Sequence, residues 1–168
     1  MAFQALQTSN DDWADKLFTV DQASVQDSVP FDVAISDVIN NNSDAENMDV
    51  VICFDNINPG APVGNVQPSY QMIAFVEEET VANAWTSIAE SFGRQIRGPE
   101  GIHVVKFVIQ SKFGGDVGQP FDINGGVRYN SNETPSEKLR VRISAVETNP
   151  GGAASLQSVN LTGAFRLY

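Results

Sequence analysis

The chain has little of what most enzymes use for chemistry. Its 168 residues include one cysteine, Cys53, and one histidine, His103. One cysteine excludes an intramolecular disulfide. One of each excludes a zinc site of the usual His/Cys type. A Ser-His-Asp or Cys-His arrangement would have to use His103, and no G-x-S-x-G motif accompanies it. The Gly- and Pro-rich stretch GGDVGQP (114–120) lacks the Gly-Lys-Ser/Thr ending of a phosphate loop. No apolar run approaches the ~20 residues of a membrane span. The opening MAFQALQTSNDDW has no basic region followed by an apolar run, so we expect no signal peptide.

Basic residues are also scarce, and unevenly so. Between Met1 and Gly93, Lys16 stands alone against fifteen Asp and Glu; from Arg94 onward, nine Lys and Arg face six Asp and Glu. The net charge is −11 and the pI about 4.3. Such a balance argues against a general nucleic-acid binder, which needs a basic surface to displace counterions. The asymmetry has two readings. The two halves interleave in the fold, or an acidic surface of one copy meets a more basic surface of the next.

Apolar residues alternate in short runs. Val29–Ile35 alternates with Val29, Phe31, Val33 and Ile35 inward. Met48, Val50, Ile52 and Phe54 share a face of the next strand, and Tyr70–Val76 forms a third that ends at Glu77, Glu78 and Glu79. The run Gly101–Gln110 is apolar on both faces and reads as a central strand, covered on both sides. Phe121–Tyr129 reads as a short strand interrupted at Gly125-Gly126. Leu139, Val141, Ile143 and Ala145 point inward on a further strand, with Arg140, Arg142 and Ser144 outward. The last strand places Val159, Leu161, Phe165 and Leu167 inward and Asn160, Thr162 and Arg166 outward. Between the third and central strands the period changes. Val81, Trp85, Ile88 and Phe92 recur at helical spacing, which predicts one short helix over about 81–96, capped by Thr80.

These elements predict a mainly β, single-domain antiparallel β-sandwich, jelly-roll-like, over 29–168, preceded by an N-terminal arm over 1–28. Trp13, Leu17 and Phe18 have the spacing of a short amphipathic turn in that arm. The arm either packs on its own domain or reaches a neighbouring subunit.

Few residues invite chemistry. Glu77–Glu79 read as a solvated run at a helix start rather than a catalytic carboxylate pair. His103 reads as a core or rim histidine, and Cys53 as small apolar filler. Asp55, Asn56 and Asn58 are the favoured place for a bound calcium, since hard oxygen ligands on loops suit that ion; no EF-hand spacing accompanies them. Asn41-Asn42-Ser43 matches the glycosylation triplet.

The pattern therefore points to a non-enzymatic structural subunit that assembles with copies of itself, alongside other structural subunits. A viral or phage capsid, decoration or tail component, or a surface filament subunit, fits that description. The expected interface pairs Arg140, Arg142 and Arg166 with the acidic Asp44, Glu46 and Asp49. The alternative is a lectin-like glycan-binding module, with or without calcium, using Trp85, Tyr70, Tyr129 and the Asn-rich loops.

Overall fold

The computed structural model describes residues 2–6, 18–21, 29–43, 45–59, 64–97, 103–112, 122–123, 126–128, 137–148 and 155–168; for 18–21, 55, 56, 58, 80, 103, 111–112, 122–123, 126–128 and 155–160 it describes the backbone alone. The strands are β1 (Gln4–Ala5), β2 (Phe18–Asp21), β3 (Phe31–Ile35), β4 (Ile39–Asn40), β5 (Asn47–Asn58), β6 (Ser69–Val81), β7 (Ala84–Ser91), β8 (Arg94–Arg97), β9 (His103–Lys112), β10 (Asp122–Ile123), β11 (Gly126–Arg128), β12 (Lys138–Glu147) and β13 (Ser155–Leu167). They form two antiparallel sheets packed as a β-sandwich. The five-stranded sheet runs β1-β13-β5-β9, with β2 also on β13. The eight-stranded sheet runs β10-β11-β7-β6-β12-β3, with β4 also on β12 and β8 also on β6.

Alternation explains the core. Met48, Val50, Ile52 and Phe54 of β5 are fully buried, as are Tyr70, Met72, Ala74 and Val76 of β6. Leu139, Val141, Ile143 and Ala145 of β12 close the same core, with Leu161, Phe165 and Leu167 of β13. Side chains two residues apart share a face of a strand, so each run delivers its apolar set to one side. In β5 and β12, and for Leu161, Phe165 and Leu167 of β13, these are the inward residues read from the sequence.

Several expectations fail. No helix spans 81–96. Val81 and Ala84 pair across a turn at Ala82-Asn83, and β7 and β8 both run back along β6. Asn83 has φ 65°, a left-handed conformation that Asn tolerates better than most residues. The register with β6 slips between Val76 and Glu77, so Ile88 is an extra residue in β7. That bulge buries both Ile88 and Ala89 and produces the false helical spacing. Val81 and Phe92, at the ends of the supposed helical face, are exposed.

The three glutamates do not end β6, which continues through them to Val81. The Gly101–Gln110 run is not central. Among the described residues its strand, β9, pairs with β5 alone and stands at the end of the sheet. Val105, Phe107 and Ile109 are buried, whereas Val104 and Val108 lie on the uncovered face. In β3 a second bulge disturbs the alternation. Ile143 pairs with Ala34 and Ser144 with Asp32, which leaves Val33 extra. Ala34 and Ser36 are therefore buried and Ile35 is exposed. Phe31 and Val33 still pack against the core.

The expected interrupted strand over Phe121–Tyr129 is, in its described parts, a hairpin: Asp122 pairs with Val127 and Ile123 with Gly126. In the N-terminal arm, Gln4 and Ala5 pair with Phe165 and Ala164, and Phe18–Asp21 pairs with Ser155–Ser158. Both segments of the arm thus lie on their own β13. The amphipathic turn around Trp13 lies outside the described residues.

Candidate functional site

Two surfaces draw attention, one on the outer face of each sheet. On the eight-stranded sheet, alternation puts Phe75, Glu77 and Glu79 of β6 outward, opposite Arg142, Arg140 and Lys138 of β12. Glu77 is 4% exposed although it points away from the core. Its burial comes from the arginines that close over it. Arg140 Nε donates to Glu77 Oε2 at 2.7 Å, and Arg142 Nε donates to Oε1 at 2.7 Å. Arg142 Nη1 also donates to Asp32 Oδ1 at 3.0 Å. The Arg140 guanidinium lies 4.4 Å from the Trp85 ring centroid, and that of Arg142 lies 4.6 Å from Phe75. Partial burial works against the charge of Arg142, but the hydrogen bonds and charges of Glu77 and Asp32 outweigh it and raise its pKa. Beyond this group, Lys138 Nζ sits 2.9 Å from Glu79 Oε2. The Asn83 backbone N–H, and then Lys138, hold the Glu79 carboxyl below its ordinary range.

On the five-stranded sheet the register places Ala5, Ala164, Val51 and Val108 side by side across β1, β13, β5 and β9. All four point outward. Val51 is 36% exposed, Val108 40% and Val104, farther along β9, 62%. One margin of this apolar row is Asp49 and Arg166. Arg166 Nε donates to Asp49 Oδ2 at 2.7 Å, and the Tyr168 hydroxyl donates to Oδ1 at 3.1 Å. Burial first, and then the Asp49 carboxylate, raise the Tyr168 phenol. The Arg166 guanidinium also sits 5.0 Å from the Phe3 ring centroid. The other margin carries Thr162, Cys53 and Lys106 in register. Cys53 is half-buried there, on the face away from the core.

The expected interface residues are thus spread over both faces. Arg140 and Arg142 lie on the eight-stranded sheet and Arg166 on the five-stranded sheet, and each is ion-paired within the chain. Asp49 is buried against Arg166; Glu46 is exposed; Asp44 lies outside the described residues. The backbones of Asp55, Asn56 and Asn58 belong to β5, and their side chains lie outside the described residues, as does that of His103. Among the described residues, no three His, Cys, Asp or Glu side chains group as metal ligands. Of the aromatic platform expected for a glycan, Tyr70 is fully buried, Trp85 is half-buried beneath Arg140, and Tyr129 lies outside the described residues. Asn41 is buried, and its side chain bonds the backbone of Ala45, so the acceptor amide of the glycosylation triplet is not presented to solvent, although Asn42 and Ser43 are exposed.

The role of Glu77 escaped sequence reasoning. The signal was there as spacing: Glu77 and Glu79 share one strand face, as do Lys138, Arg140 and Arg142. No helix is long and apolar enough to cross a membrane among the described residues. No protein-family model matches the chain, and no curated protein matches it significantly.

Proposed function

We propose that the protein is a non-enzymatic structural subunit that assembles with copies of itself through the outer face of the five-stranded sheet. The particle we propose it for is a viral or phage capsid, decoration or tail structure, or a surface filament. One observation carries the reading: the outward row of Ala5, Ala164, Val51 and Val108, with the exposed Val104 beyond Lys106 on the same face of β9. The outer face of an antiparallel sandwich is ordinarily polar, and contiguous exposed apolar surface marks an interaction site. The row is made of small side chains, which suits a second sheet laid on it. Completing the burial of a half-exposed valine gains about 1 kcal/mol. Several such residues on two copies supply a useful driving force, with Lys106 and the Arg166–Asp49 pair at the margins.

Light scattering across protein concentration tests the proposal. The wild-type mass should rise toward a regular multiple of the 18.2 kDa chain. A Val104→Asp, Val108→Asp variant should keep its β-sheet circular dichroism and stay a monomer. A wild-type chain that remains monomeric at every concentration overturns the proposal.

A further inference from the structure

The outer face of the eight-stranded sheet carries an apolar dimple of its own. Ile73 and Phe75 of β6 and Val146 of β12 alternate away from the core, and with Pro30 they line a depression of about 120 Å³. Ile73, Phe75 and Val146 are half-buried, and Pro30 is exposed. The volume is well below the ~300–1,000 Å³ of ordinary small-molecule sites; its size and lining suit protruding aliphatic side chains. The charges beside it are already matched. Arg142 lies 4.6 Å from the Phe75 ring centroid, and Glu77 and Asp32 together offset Arg140 and Arg142. A neighbour that covers this face meets paired charges, and it is the unpaired ones that are costly to bury. Asp32 stays reachable. Its side chain is 50% exposed, and it stands across from Ser144 in the β3–β12 register, at the edge of the dimple.

The outward face of β9 is the complement of this surface. Val104 and Val108 project on either side of Lys106, 62% and 40% exposed, and Lys106 is exposed between them. One face thus sets a cation between two valines, and the other sets a carboxylate beside an apolar dimple. We propose that the surface covering the valine row is the outer face of the eight-stranded sheet of the next copy. Val104 and Val108 seat against Ile73, Phe75 and Val146, and Lys106 meets Asp32. The inference rests on the assembly reading above and names the partner face. Exposed ion pairs add little affinity, so Lys106 and Asp32 set the register while apolar burial drives the contact. The two outer faces lie on opposite sides of the sandwich, so the contact is head-to-tail. Each copy engages two neighbours, and the series closes into a ring or continues as a filament. A two-fold contact of valine row on valine row would stop at a dimer.

Complementation between two variants of the full chain, read by light scattering, tests the assignment. Val104→Asp with Val108→Asp closes one face. Val146→Asp with Gln71→Arg closes the other, from a half-buried and an exposed position at the dimple. Each variant alone should be a monomer with unchanged circular dichroism. Their equimolar mixture should reach the mass of two chains and no more, because each keeps the face that the other has lost. Should the Val146→Asp chain not fold, Gln71→Arg alone, at its exposed position, is expected to weaken wild-type association several-fold. A dimple-face variant that folds and associates as the wild type does, or a mixture that stays monomeric, overturns the head-to-tail assignment and leaves assembly through the valine row standing. A wild type that is monomeric at every concentration overturns both.

Discussion

At the scale of single residues, Glu77 and Tyr70 are the informative groups. Glu77 is a carboxylate held by two guanidinium Nε donors while both guanidiniums lie against aromatic rings. Removing one partner of a buried ion pair leaves the others uncompensated, at a cost of roughly 3–5 kcal/mol when fully buried. The arginines retain some solvent contact, so Glu77→Ala should destabilise by about 2–3 kcal/mol in urea unfolding, far more than the same change at exposed Glu46. Tyr70 presents the opposite case. Its ring is fully buried, and its hydroxyl has no hydrogen-bond partner among the described residues. An unsatisfied buried hydroxyl costs about 1–3 kcal/mol, so Tyr70→Phe should stabilise the fold by about 1 kcal/mol. Burial first, and the Glu147 carboxylate second, raise the Tyr70 phenol above its ordinary 10.0. The unfolded chain therefore ionises at lower pH than the folded one. The corresponding stability is complete below about pH 10 and is lost as pH rises through the raised folded value. Tyr168 shifts in the same direction. Urea midpoints measured from about pH 8 to 11 should fall, and Tyr70→Phe should flatten that fall.

At the scale of elements, legibility followed locality. The faces of β5, β12 and β13 could be read because period-two alternation is written in neighbouring residues. The β7 segment could not. Its alternation is broken at Ile88 by a bulge defined only against β6, and its start depends on a turn in which Asn83 accepts φ 65°. The outward Ile35 in β3 has the same origin. The turn carries its own prediction: Asn83→Val, a β-branched residue in the left-handed region, should cost about 1–2 kcal/mol per residue of such strain. Strand β9 was misplaced because an apolar run on two faces reads as central wherever both faces are assumed covered. Its position at the sheet end explains features that a central strand would not need. Arg94 Nε donates to the Lys106 carbonyl at 3.2 Å, which satisfies one outward backbone group. Lys106 itself interrupts the valines with a charge, a common protection for edges. Lys106→Val should leave stability nearly unchanged and increase aggregation, measured by turbidity at fixed protein concentration.

For the whole molecule, the division of charge between the halves of the sequence takes on a different meaning once the topology is known. Glu77, Glu79, Asp32 and Asp49 come from the acidic half; Arg140, Arg142, Lys138 and Arg166 come from the basic half. Strand β12 lies between β6 and β3, and β13 lies beside β5, so the two halves interleave and pair within one chain. That result was available only as one of two alternatives, since pairing order is not visible in composition. It also changes what should hold copies together. Arginines already engaged inside the chain offer little to a neighbour, whereas the outward valines remain to be covered. A chain of net charge −11 repels its copies at long range. The Debye length is ~30 Å at 0.01 M salt and ~8 Å at 0.15 M. Raising the salt over that range should therefore strengthen association several-fold if the apolar face drives it. Association through ion pairs between copies would weaken over the same range. Light scattering at a single protein concentration, with salt as the only variable, separates these two outcomes by sign.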